Sequence, residues 1–306
     1  MLTAGAANVV VAVLKLAAGL IAGSSAMLAE SAHSLADTLN QGLLLTSLRS
    51  GARPGDRRHP FGYGQDRYFW SLLSAFGIFI AGAGFSIFEG ILSLSRTGAE
   101  GSPLLAYIVL AVSFAAEGTS LYRAFSQTRA QARSRRTSFQ DQVRDSPDTT
   151  VKTALFEDTA AIAGLLLALG GLILRQLTGS GVWDGSASIA IGVLLVLVAL
   201  RLGRDSRDLL IGRAASDEQL RAIRAEIEGT PGVDALVELL TMHLGPDRLI
   251  VGARIDLSDD ISAGQAEAIA DRIDSQLEAK LSVSPHVFLD PTGRSGGPFT
   301  ARDEGR

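Results

Sequence analysis

Glu30, His33 and Asp37 recur at spacings of three and four inside the apolar segment Ala26–Leu48. On a helix those spacings put a glutamate, a histidine and an aspartate on one face. Ionisable side chains at that depth of a membrane span are costly, and they normally face a protein or water-filled interior, paired or bound to an ion. A polar seam that only holds helices together is the plainer alternative. Other residues able to meet this face are Lys15, Glu89, Glu117, Glu157, Asp158 and Asp184. At about 1.5 Å per residue, Asp158 lies roughly 10–15 Å in from the cytoplasmic end of its span. Asp37 lies at a similar height, so those two carboxylates can meet, with His33 about a turn higher. Two carboxylates and an imidazole, completed by water or a fourth protein ligand, form a tetrahedral site suited to Zn2+ and, less selectively, to Mn2+, Fe2+ or Co2+. The same groups exchange protons, so metal loading would expel protons and metal release would take them back. Lys15 is expected to form a salt bridge with a carboxylate such as Glu30. Glu89 and Glu117 are expected off the site, hydrogen-bonding between helices.

The elements that must hold this face are membrane spans. The 306 residues are 47% apolar and 20% charged, a balance that favours a multi-span membrane protein. Without cysteine, disulfides, thiolate metal sites and cysteine nucleophiles are excluded. With four histidines, any metal site must lean on carboxylates. Six stretches reach the length of about 20 helical residues that a hydrocarbon core requires: Thr3–Ala22, Ala26–Leu48, Phe69–Leu94, Pro103–Phe125, Val151–Leu174 and Ala187–Leu210. The loops 49–68 and 126–150 and the segment after the sixth span are rich in arginine, whereas the turns 23–25, 95–102 and 175–186 offer only Arg96 and Arg175. The positive-inside rule then puts both termini in the cytoplasm. The arginines of 129–144 lack interleaved aromatics and sit between spans, so they read as an orientation or lipid-facing signal rather than a nucleic-acid site. The N-terminus has no basic n-region and enters an apolar run at once, which suggests a first span in a bacterial inner membrane. Trp70 and Trp183 fall at span ends as interfacial anchors.

Past Arg213 the composition changes. A capping box at Ser216–Gln219 opens an amphipathic helix that Gly229-Thr-Pro231-Gly232 stops. Val233–Met242 and Arg248–Leu257 read as strands joined by a turn at His243-Leu-Gly-Pro-Asp247, followed by a second helix burying Ile269, Ile273 and Leu277. His286–Pro291 reads as a third strand, and the tail 293–306 as disordered. The expected fold is a membrane all-α six-helix transporter domain (1–212) plus a small cytoplasmic α+β (α-β-β-α-β) domain (213–292). From Arg213 onward the chain carries 17 acidic and 10 basic residues, a balance that repels nucleic acid.

The run GSSAMLAESAHSLADTLNQ, the loop HPFGYGQDR (His59–Arg67), the six spans and the acidic α-β-β-α-β module together resemble the cation diffusion facilitator family. The stretch LFEDTAA (Leu155–Ala161) looks most like its branch of the mitochondrial zinc transporter nine. The resemblance implies a homodimeric antiporter that moves zinc or a related divalent cation out of the cytoplasm against protons. It also implies a transport site made of one residue pair four apart on span two and another on span five. Span two matches at His33 and Asp37. Span five matches at Asp158 alone, because Ala154 stands four residues earlier, and Glu157, about 100° round the helix, is either a fourth ligand or a partner for a neighbouring helix. For the second family site, in the loop after span two, Asp56 and His59 match two ligands while Tyr63 replaces a histidine, and a loop packed against the cytoplasmic domain is the better reading. The soluble domain is expected to dimerise without regulatory metal, with His243 and His286 as surface or turn histidines. A metalloenzyme would need an HExxH-like pairing, which is missing. A membrane scaffold with a degenerate, non-transporting site remains the competing reading.

Overall fold

The computed structural model describes residues 2–94, 103–134, 138–140, 143 and 149–293. The expected disordered tail, the turn 95–102 and much of the basic loop 135–148 lie outside the described residues. The chain divides into two compact units, Met1–Ala52 with Asp66–Arg207, and Arg53–Gln65 with Asp208–Arg306.

The first unit is helical: α1 (Leu2–Ala22), α2 (Ser25–Gly51), α3 (Asp66–Gly77), a π-helical stretch Ile78–Gly84, α4 (Phe85–Leu94), α5 (Pro103–Ser134), α6 (Thr149–Thr178) and α7, which runs over Val182–Ile211. The π-helical stretch joins α3 and α4 into one rod. Four described stretches are long and apolar enough to cross a membrane: Asp66–Leu94, Leu104–Arg133, Thr153–Thr178 and Val182–Ile211. Val9–Ala22 is apolar but shorter. At 27 residues α2 has the length, and it falls short in apolarity because Glu30, His33, Asp37 and Asn40 lie along it.

This unit embeds charged groups in an apolar core and turns further large apolar side chains outward. Lys15, Glu30 and Asp184 are fully buried, whereas Ile80, Phe88, Leu104 and Leu197 are each more than 60% exposed. A soluble fold would reverse that arrangement, since apolar surface is stable facing only lipid.

The sharp α1–α2 turn depends on Gly23, whose φ of 60° lies in the left-handed region that favours glycine. Ser24 then caps α2 by accepting the Met27 N–H. The turn is fastened from α7, where the buried Asp184 carboxylate accepts from Ser24 Oγ at 2.6 Å, Ser25 N–H at 2.5 Å and Ser25 Oγ at 2.9 Å. Arg175 donates to the Gly23 carbonyl at 2.7 Å and lies 3.6 Å from Asp184.

The second unit contains α8 (Asp217–Glu228), β1 (Val233–Gly245), β2 (Arg248–Leu257), α9 (Ala263–Lys280) and β3, spanning Ser284–Pro291. The capping box expected at Ser216 and Gln219 is formed, and Ser262 with Gln265 makes a second one on α9. The sheet has order β1-β2-β3, antiparallel then parallel. Its core gathers Ile223, Ile227, Leu249, Val251, Ile255, Ile273 and Leu277.

β1 runs three residues further than expected, so His243 lies within a strand, 2% exposed, rather than in a surface turn. Its backbone N–H donates to the Arg213 carbonyl at 3.0 Å. His286 sits exposed on β3, as expected.

Burial, aided by the Arg213 cation, pushes the His243 imidazole down to about 4 from its usual 6.5. The folded unit thus holds it neutral. As pH falls below about 6.5 the unfolded chain protonates first, and stability is lost progressively down to about pH 4, by about 3 kcal/mol in all. Hydrogen–deuterium exchange across the β1–β2 ladder of the intact protein should rise between pH 7 and 4.5 beyond the intrinsic rate change. His243→Leu should flatten that dependence.

Candidate metal centre

The face of α2 predicted from spacing is present and turned inward. His33 is 2% exposed and its Nε2 lies 3.5 Å from Asp37 Oδ2. Both His33 ring nitrogens, Asp37 Oδ1 and Glu30 Oε1 are buried without a hydrogen-bond partner. Native interiors leave few such atoms, because each open donor or acceptor costs about 1–3 kcal/mol.

Two cross-helix contacts set the register of α2 against α6. Asn40 Nδ2 donates to both Glu157 oxygens, at 2.6 and 2.5 Å. Ten residues earlier on α2, Glu30 Oε1 lies so close to Gly164 that a methyl group there would collide with it. The α2 number falls as the α6 number rises, so the two helices run antiparallel. His33 and Asp37 then lie between those contacts, beside the turn that begins at Asp158. The Asp37 carboxylate is in coulombic range of both Glu157 and Asp158.

The α6 acids are each engaged. Glu157 is held by Asn40, whose own oxygen accepts from Ser74 on α3. Asp158 Oδ2 accepts from Ser120 Oγ of α5 at 2.8 Å. Among the described residues no group of three His, Asp or Glu side chains has converged to metal-ligand geometry. His33 and Asp37 are brought together, and Asp158 and Glu157 are brought near but tied to α5 and α2 respectively.

The Lys15–Glu30 pair foreseen from the sequence is formed. Lys15 Nζ lies 3.1 Å from Glu30 Oε2 and donates to Ser34 Oγ at 2.8 Å, with both charged side chains fully buried. Glu117 departs from expectation. It lies in coulombic range of Lys15, His33, Asp37 and Asp158 rather than off the site. Counting depth along a span gives no azimuth, and packing of α5 on α1 and α6 decides which side of α5 turns inward. Asn40, Ser74 and Ser120 were also not foreseen. Asn40 had a sequence signal, since it follows Asp37 by three residues on the same polar face.

In the second unit, Asp56 and His59 are also adjacent, with His59 Nδ1 3.6 Å from Asp56 Oδ1. The Asp56 carboxylate is nevertheless in use. Oδ1 accepts the N–H groups of Arg58 and His59, and Oδ2 accepts the Tyr63 hydroxyl at 2.8 Å. The His59 N–H and the Tyr63 hydroxyl hold this carboxyl below the usual range. Further along the loop, Phe61 meets Phe288 edge to face, and Arg248 donates to the Phe61 carbonyl at 3.2 Å. Gly64 approaches the Leu244 carbonyl too closely for any side chain.

A family model for the cation efflux transmembrane domain matches residues 1–211, and one for the cytoplasmic domain of cation efflux proteins matches 215–290. The chain is 36% identical over 242 residues to the mitochondrial proton-coupled zinc antiporter SLC30A9 of Xenopus laevis, covering 79% of this chain and 43% of that protein. It is 34% identical to metal tolerance protein C4 of Arabidopsis thaliana, over 82% of this chain and 55% of the other. To the cation-efflux pump FieF of Pectobacterium atrosepticum it is 27% identical, over 90% and 86% of the two chains. It thus spans less than half the length of the SLC30A9 relatives it matches.

Asn40→Ala would leave the Glu157 carboxylate buried without its donor. The protein should lose about 1–3 kcal/mol of stability, read from thermal unfolding in detergent. Ser74→Ala likewise leaves the buried Asn40 oxygen without its donor and should cost about 1–3 kcal/mol.

Proposed function

This chain belongs to the cation efflux family, and from that premise we propose that it exports a divalent cation, Zn2+ foremost, in exchange for protons. It is an integral membrane transport protein, not an enzyme. The observation that carries the reading is the set of buried polar atoms on α2 without a hydrogen-bond partner, at both His33 nitrogens and Asp37 Oδ1. A seam that only held helices together would have used these atoms in interhelical hydrogen bonds. An arriving cation takes one His33 nitrogen and Asp37 Oδ1, and the protons it displaces give the counter-flux.

In this reading six rods span the bilayer: α1, α2, the continuous α3–α4 rod, α5, α6 and α7. Both termini are cytoplasmic, and the boundary with the cytoplasmic domain (213–292) falls at residue 212. The ion sits between α2 and α6, liganded by His33, Asp37 and Asp158, with Glu157 as the fourth ligand once it leaves Asn40. The freeing of Asp158 from Ser120 and Glu157 from Asn40 is part of loading. Asp56 and His59 act as a loop staple rather than as a second metal site. The protein works as a homodimer. Supporting this, Leu240 and Phe288 are more than half exposed and lie in register with Gly252 across one face of the sheet. The reading places it in a bacterial inner membrane, and fractionation of native membranes tests that location.

The competing reading, a scaffold that no longer transports, draws on the α6 acids being tied to Ser120 and Asn40. Liposomes separate the two. Zn2+ uptake driven by an imposed pH gradient should fall at least a hundredfold in Asp37→Ala and in Asp158→Ala. Flux that survives both substitutions removes the α2–α6 site, and wild-type protein that neither binds nor moves Zn2+ leaves the scaffold. If Glu157→Ala abolishes flux while Asp158→Ala does not, the α6 ligand has been misassigned.

A further inference from the structure

The transport reading makes no use of the Lys15 ammonium. It is fully buried in a helical bundle, beside a carboxylate that has one oxygen open. An isolated buried charge is strongly unfavourable, and a pair is tolerated only when its hydrogen bonds are completed. Here they are half completed. Lys15 satisfies Glu30 Oε2 and takes Ser34 Oγ, while Glu30 Oε1 points at the bare Gly164 backbone with nothing bound to it. Glu30 precedes His33 by one helical turn, on the same face of α2. Lys15 is in turn within coulombic range of His33, Asp37 and Glu117.

Resting on the export reading, we propose that Lys15 is a tethered cation that holds Glu30 until a metal ion arrives, and that Glu30 is the next carboxylate the ion meets after His33 and Asp37. Three features support this. Glu30 offers a second, unused oxygen in the right place. The lysine occupies the other oxygen with a charge of the same sign as the cargo. And the α6 backbone at Gly164 lies against the open oxygen without supplying a hydrogen bond to it. A tethered cation of this kind keeps the row of acids from binding metal too tightly. A divalent ion approaching Glu30 displaces the ammonium, and the ammonium returns to the carboxylate once the ion has left. Lys15 is a positioning residue here, since it does not ligate the ion.

The test uses the full-length protein with Zn2+ as the probe. Binding is measured by competition with a chelating dye in detergent, and transport kinetics in liposomes. Lys15→Met should bind Zn2+ tenfold or more tighter and should lower both KM and kcat, because the ion now lingers on Glu30. Lys15→Met/Glu30→Gln removes both charges together and should return the affinity to within about threefold of wild type. A purely structural ion pair predicts the opposite pattern: a lower unfolding midpoint in Lys15→Met with unchanged Zn2+ affinity. That result overturns the proposal. Should Lys15→Met fail to fold, the double variant and Glu30→Gln carry the test. Glu30→Gln must then lower kcat in the protein that remains folded, and an unchanged kcat refutes the proposal. Failure here is distinguishable from failure of the export reading, which would show as Zn2+ flux insensitive to Asp37→Ala.

Discussion

Hydrogen bonds and ion pairs buried among apolar helices set the terms for the first unit. Away from water a charge must find its partner within the protein, and every acceptor left open is a standing cost. Most of the buried groups meet that condition in full. Asp184 collects three donors and a nearby guanidinium, and Glu157 collects both protons of Asn40. Among the described residues four open atoms gather on one side of α2, at Glu30, His33 and Asp37, while Ser113 Oγ stands apart on α5. Unsatisfied atoms scattered through a bundle would be ordinary imperfections. Gathered on one helical face, they are what the proposed cation site rests on.

Much of this could be read in the chain, because the physics involved is one-dimensional. Helical spacing put Glu30, His33 and Asp37 on a common face, and the apolar runs marked where the rods would form. The Lys15–Glu30 pair followed from the cost of leaving either charge alone. The capping box at Ser216 was legible for the same reason, since its chemistry spans only four residues. What the chain did not convey was azimuth between helices that are not neighbours in sequence. The placement of Glu117 near His33 and Asp158 depends on α5 packing against α1 and α6, and no local pattern encodes that. His243 was misread because Gly245 and Pro246 advertise a turn. The ladder extends to Gly245 before the chain turns, so the histidine is buried in the strand.

The loop Arg53–Gln65 illustrates how one set of residues can satisfy two descriptions. An aspartate and a histidine three apart resemble the beginning of a metal site, and the structure does bring them within 3.6 Å. Yet both oxygens of the Asp56 carboxylate are in use, accepting from Arg58, His59 and Tyr63. Those same bonds shape the turn that delivers Phe61 to Phe288 and Gly64 to the Leu244 carbonyl. The tyrosine in place of a third nitrogen donor is thus a closing hydrogen bond, and the segment folds as part of the C-terminal unit.

The Asp184 clasp has a mechanical corollary. It pins the reversal between the first two helices to the start of the last one, so three rods share a single rivet at that end. Bars riveted at one end splay most easily at the other, where leverage is longest. In α2 and α6 the far end is where Asn40 grips Glu157, a single amide on a single carboxylate. The fastenings at the two ends are therefore unequal in kind: three donors and a guanidinium gather on one carboxylate at the first, and one amide meets one carboxylate at the second.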